Sequence, residues 1–136
     1  LQFMNVLDAE IGQNYGPYEL KFEDNNINDY INCVTFPENK EIYNEYLPPF
    51  LVIALALSNL IEEIQLFNSG LEAIHSGQEV TWNREISSNE IIYANGKLSS
   101  KKSIKKSLFL VFSVEYTDKS DEIVGSSVSK IILNEK

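Results

Sequence analysis

Residues 48–70 read PPFLVIALALSNLIEEIQLFNSG, and their pattern decides the architecture. Pro48-Pro49 marks a helix start, because proline suits the first helical position, where its missing N–H has no partner to lose. Phe50 through Leu57 is apolar on every side, which predicts a helix surrounded by protein. Further on, Ser58, Asn59, Glu62, Glu63 and Gln65 are expected on one face, with Leu60, Ile61, Ile64 and Leu66 on the other. The helix is expected to leave the core amphipathic and to stop at Asn68-Ser69-Gly70, a glycine cap. Residues 47–57 form the longest apolar run. It is too short for a membrane span, which needs roughly 20 residues.

Upstream, the alternation Tyr18, Leu20, Phe22 predicts a short half-buried strand over residues 17–22. Residues 1–16, punctuated by Gly12 and Gly16, are expected to be irregular. Asp24-Asn25-Asn26 offers cap chemistry, and Ile27, Tyr30, Ile31 and Val34 follow at helical spacing. That helix should end near Thr35, before Pro37. Residues 36–47 read as a polar loop. Downstream of Gly70 the texture is strand: residues 71–84, 90–98, 108–116 and 123–133. Short links predict antiparallel order, a lysine-rich loop over residues 97–106, and a central place for the nearly all-apolar run 108–116. The expected class is α+β, a long central helix wrapped by an antiparallel sheet, in one domain spanning residues 1–136.

The chain has 136 residues, 43 % of them hydrophobic, enough for a packed core. Eleven basic against 20 acidic side chains give a net charge of −9, which repels nucleic acid and anionic lipid. A lone cysteine, Cys33, excludes an internal disulfide, and with a single histidine, His75, a multi-histidine metal site is excluded as well. No cationic segment followed by an apolar stretch opens the sequence, so a cytoplasmic setting is expected. Leu1 in place of methionine leaves the natural start open.

Certain residues narrow the fold further. His75-Ser76-Gly77-Gln78-Glu79-Val80-Thr81-Trp82-Asn83-Arg84-Glu85-Ile86 resembles the His-Gly-x-Gln to Arg-Pro opening of the sheet in MaoC-like dehydratases, which have the hot-dog fold. The likeness is closest to the N-terminal, fatty-acid-synthase-type half-domain. Residues 108–117, ending in Tyr116-Thr117, are similar to that branch's penultimate strand, and Leu47-Pro48-Pro49-Phe50 is similar to its lead into the helix. The resemblance covers residues 20–133.

The resemblance implies acyl thioesters of coenzyme A or acyl carrier protein as ligands, with no cofactor. Catalytic members carry a G-D-x-N-P-x-H loop whose Asp and His share the base and acid work of dehydration. A helix N-terminus there holds the developing oxyanion. In this chain Asn39, Ile42 and Tyr43 fall on the motif's Asn, apolar and His positions, and no aspartate stands where one is needed. The expected protein is therefore an accessory acyl-binding subunit, a homodimer or the partner of a catalytic hot-dog subunit. Two alternatives stay open: an active hydratase or thioesterase using non-standard residues, and a scaffold module that no longer meets acyl chains.

The candidate site residues follow. His75 is either a substitute base or a strand-start residue near the dimer seam. Tyr43, Pro49, Phe50 and Gln78 are the expected substrate contacts, with Tyr46 beside the entrance. Glu62 and Glu63 are thioesterase candidates, but helical phase places both on the solvated face. Lys101, Lys102, Lys105 and Lys106 form a basic patch, either for the phosphates of coenzyme A or an acidic carrier, or as a solvated hairpin. No aromatic residue interrupts that basic run, which argues against nucleic acid.

Overall fold

The computed structural model describes residues 5–34 and 45–135. Five antiparallel strands form one sheet: β1 (Asn14–Leu20), β2 (Glu72–Trp82), β3 (Ile92–Ile104), β4 (Ser107–Thr117) and β5 (Ile123–Asn134). Among the described residues two α-helices, α1 (Asp24–Val34) and α2 (Pro49–Glu63), lie between β1 and β2. Strand order is β1-β3-β4-β5-β2, so the apolar run 108–116 lies in the central strand, as expected.

The order corrects the expected succession of neighbours. β2 crosses the sheet to pair with β5, from Glu72↔Asn134 to Trp82↔Gly125, and only β3, β4 and β5 form a meander. The lysine-rich segment is also more regular than expected. β3 continues through Lys101 and Lys102 to Ile104, and the reversal needs only Lys105 and Lys106, with Lys105 in the left-handed region at φ 57°.

α2 packs its Val52–Ala56–Leu60 face onto the sheet, with Leu60 over Gly96. Its apolar first half is not enclosed within the chain: Phe50 is 60 % exposed, Ala54 is exposed, and Leu57 is half-buried. The α-helix ends earlier than Gly70, at Glu63, because Gln65 takes a left-handed conformation at φ 54°; a 3-10 turn then carries the chain to Asn68. Residues 49–68 have a mean hydropathy of 1.7, long and apolar enough to cross a membrane by composition. The 15 α-helical residues rise only about 22 Å, short of a bilayer's hydrocarbon core of roughly 30 Å.

The N-terminal segment is part of the core rather than irregular. A 3-10 turn at Val6–Asp8 buries Val6, whose N–H donates to Ile64 O at 3.0 Å. Lys101 Nζ fastens this turn by donating to Leu7 O at 2.7 Å and Ala9 O at 2.8 Å. Beyond it Gly16, at φ 83°, admits no side chain, since a Cβ would stand 2.8 Å from Ala94 O. β1 therefore begins at Asn14 and bends between Tyr15 and Tyr18.

Candidate functional site

The start of α2 borders the candidate site. Leu47 N–H donates to Ile86 O at 2.7 Å and Ser88 N–H to Glu45 O at 2.9 Å, so the lead into the helix is laced to the loop between β2 and β3. Between this lacing and Trp82 lies a pocket of about 340 Å³. Leu47 and Ile86 make its buried walls, and Tyr46, Arg84 and Glu85 its exposed rim. Pro48, the N-cap of α2, makes no side-chain hydrogen bond, and no acidic residue occupies the first turn. Within its own cap and first turn the positive end of the helix dipole meets no carboxylate, which suits a carbonyl oxygen or an oxyanion. Among the described residues, the buried Trp82 Nε1 has no hydrogen-bond partner.

Arg84 holds the rim in place. Its guanidinium donates to both Glu90 oxygens, to Asp118 Oδ2 at 3.1 Å and to Glu85 O at 3.0 Å. The hydrogen bonds it donates to Glu90, foremost, raise the arginine's pKa. Arg84 in turn holds the Glu90 carboxyl below its ordinary value, against the opposing effect of burial. A cation with two carboxylate partners is a structural clip, not a free anion receptor.

The expected site residues do not converge on this pocket. Pro49 lines it, and Phe50 points its ring to solvent beside it. Tyr43 and the rest of the motif-like loop from Thr35 to Asn44 lie outside the described residues. His75 and Gln78 sit on β2, where Gln78 Oε1 meets His75 Nε2 at 3.0 Å and accepts from Ser129 Oγ at 2.8 Å. Seven residues of strand separate His75 from Trp82, about 23 Å. Lys102, Lys105 and Lys106 are exposed at that same far end of the sheet, and Lys101 is occupied by the N-terminal turn.

Glu63 overturns the expectation of a solvated helix face. It is 9 % exposed, Tyr18 donates its hydroxyl to Glu63 Oε2, and Gly16 N–H reaches the same oxygen at 3.2 Å. The signal was present in the spacing: Glu63 follows Val52, Ala56 and Leu60 on the buried stripe. Glu62 is exposed, as expected. The pocket's dependence on Trp82 and Ile86 escaped the sequence reading, because β2 must first cross to β5 before Trp82 faces the helix start. Among the described residues no three His, Cys, Asp or Glu side chains gather as a metal site would require.

At the level of sequence, no protein-family profile and no curated protein matches the chain. Solved structures do match. The monoamine oxidase regulatory protein from Archaeoglobus fulgidus superimposes with a TM-score of 0.75 at 19 % identity, over 98 % of this chain and 96 % of that one. For the R-hydratase PhaJ1 from Pseudomonas aeruginosa the values are 0.74 and 13 %, over 98 % and 88 %. For the HadBC (3R)-hydroxyacyl-ACP dehydratase complex from Mycobacterium tuberculosis they are 0.73 and 12 %, over 91 % and 98 %. The chain has the hot-dog fold. Its strand order places β2 beside β5.

Proposed function

We propose that this hot-dog chain is a MaoC-like accessory subunit that binds acyl thioesters at the α2 N-terminus without carrying the dehydration chemistry itself. The observation behind this reading is the pocket between Leu47, Ile86 and Trp82, opening beside a helix start whose N-cap, Pro48, offers no side-chain cap. A thioester carbonyl at that end is favoured by the dipole, and the apolar walls receive the acyl chain. Dehydration also needs a base at the α-carbon and an acid at the leaving hydroxyl. The chain's one histidine lies about 23 Å along β2 from Trp82, out of reach within one protomer.

The sheet's β2 edge supports an assembled form. Among the described residues β2 pairs only with β5, and its first five residues, Glu72–Ser76, are exposed without a proline or lysine to blunt the edge. A second hot-dog subunit pairing antiparallel along this edge would bring its own far end beside this pocket. The partner is a second copy or a subunit that owns the Asp/His pair. Exposed Lys102, Lys105 and Lys106 offer the basic surface for coenzyme A phosphates or an acidic carrier, and a cytoplasmic setting suits such ligands.

The test is turnover of 3-hydroxyacyl-CoA and crotonyl-CoA, with acyl-CoA binding measured by calorimetry, with and without a dyad-bearing partner. Binding without turnover, and turnover gained on adding the partner, is the expected result. Turnover by the chain alone, abolished in His75→Ala, would replace the accessory reading with an active enzyme. Failure to bind any acyl thioester would leave only a scaffold.

A further inference from the structure

The pocket at the α2 start has a floor that cannot yield. Trp82 lies flat on β5 at Gly125, where even a Cβ would stand 2.2 Å from the indole Cε3. Its other neighbour is the Tyr116 ring, 5.1 Å away between centroids and tilted by 41°. Tyr116 is itself fully buried and fastened through its hydroxyl to Ser127 Oγ at 2.8 Å. The indole is therefore held in place by its packing on Gly125 and Tyr116.

The walls also have a polarity gradient. Leu47 and Ile86 are buried at 4 % exposure each, while Tyr46, Arg84 and Glu85 rim the mouth. An amphipathic ligand thus enters with its apolar end first, and that end meets Trp82. The volume then sets a limit. At roughly 30 Å³ per heavy atom, the share of a water molecule in the liquid, about 340 Å³ holds on the order of ten heavy atoms. After the thioester group, that leaves room for a chain of about four to six carbons.

We infer that Trp82 is the residue that fixes the acyl chain length this site accepts, and that the site takes short-chain acyl thioesters. The inference rests on the acyl-thioester reading given above and deepens it. Selection works by exclusion: a longer chain must leave methylenes in water or displace a ring that Gly125 and Tyr116 hold.

The test uses the whole chain with butyryl-, hexanoyl- and decanoyl-CoA, read by calorimetry and by intrinsic fluorescence. Trp82 is the only tryptophan in the sequence, so its emission reports this one place. The expected result is that butyryl- or hexanoyl-CoA binds at least about tenfold more tightly than decanoyl-CoA and shifts the emission. Trp82→Ala should erase or reverse that ratio, and Trp82→Phe should keep the short-chain preference in part. A folded Trp82→Ala variant with an unchanged ratio would overturn the inference, as would decanoyl-CoA binding the native chain as tightly as butyryl-CoA. Should Trp82→Ala not fold, the emission response and Trp82→Phe decide: binding that leaves the emission unmoved overturns the inference while the acyl-thioester reading stands. If the native chain binds none of the three by calorimetry, both fall together.

Discussion

The Tyr18 hydroxyl donates to Glu63 Oε2 inside the core, tying the last turn of α2 to the bend in β1. Gly16 N–H gives the same oxygen a second donor at 3.2 Å. Glu63→Ala would leave the hydroxyl and the amide facing an apolar void. The expected cost is about 2–4 kcal/mol, combining unsatisfied polar groups with lost packing. Glu63→Gln keeps an acceptor oxygen in place and should cost about half as much or less. Urea unfolding of the two variants checks the difference. Equal, near-zero losses would mean that the contact does not hold the helix end.

Three buried tyrosines make the protein sensitive to alkali. Burial pushes the Tyr116 hydroxyl up to about 12, opposed by its bond to Ser127. Burial also raises Tyr18, as do its hydrogen bond to Glu63 and the charge of that carboxylate, and Tyr15 is raised by burial and by Glu63. A tyrosine raised in the folded state stabilises the fold fully below its unfolded value of about 10, and that stability is lost as pH climbs toward the folded value. Tyrosinate absorbance should therefore be delayed for this trio. The Tyr15, Tyr18 and Tyr116 hydroxyls should ionise only above the ordinary tyrosine range, Tyr116 at about 12, and together with unfolding. A single smooth titration near 10 would contradict the burial of this trio.

The helical segment and most strands are legible in the sequence, because each is set by local periodicity. The Pro48-Pro49 start, the Ile27–Tyr30–Ile31 stripe and the alternation after Gly70 need no distant partner to be read. What escapes is whatever depends on the crossing of β2. Trp82 reads as one apolar residue in a strand until its pairing with Gly125 turns it toward the α2 start. Arg84 likewise meets Asp118 across 34 residues of sequence, with nothing local to announce it. Glu63 is hidden for another reason. A carboxylate on a buried stripe looks like an error of phase until Tyr18 and Gly16 are seen to satisfy it.

Lys101 and Lys102 are neighbours in β3 with opposite tasks. Lys101 reaches two carbonyls of the N-terminal turn, while Lys102 is exposed. Replacing either by methionine removes one positive charge, so the difference between them isolates the carbonyl contacts. Lys101→Met should lose about 1–2 kcal/mol and speed hydrogen exchange at the Val6 amide. Lys102→Met should stay within about 0.5 kcal/mol of the native chain. Binding to a carrier or to coenzyme A, if it uses this patch, should respond in the reverse order.

The clip of Arg84 with Glu90 and Asp118 predicts a loss of stability on the acid side. The guanidinium, together with the Ser87 N–H, holds Glu90 below its ordinary range. Asp118 is held down by the N–H groups of Glu122 and Ser120 and by Arg84, against an opposing desolvation effect. Carboxylates depressed in the folded state stabilise it above their unfolded values, near 4, and that contribution disappears as pH falls through the folded ones. The groups are solvated, so the network's contribution is small and weaker still in high salt. Arg84→Gln should therefore lower the melting temperature slightly at pH 7 and flatten its fall as pH drops below the ordinary carboxylate range. Because Arg84 also forms the rim of the pocket, the same variant should weaken acyl-CoA binding by a few-fold without changing the chain-length preference that Trp82 imposes. A variant that changed that preference would mean the rim, not the floor, measures the chain.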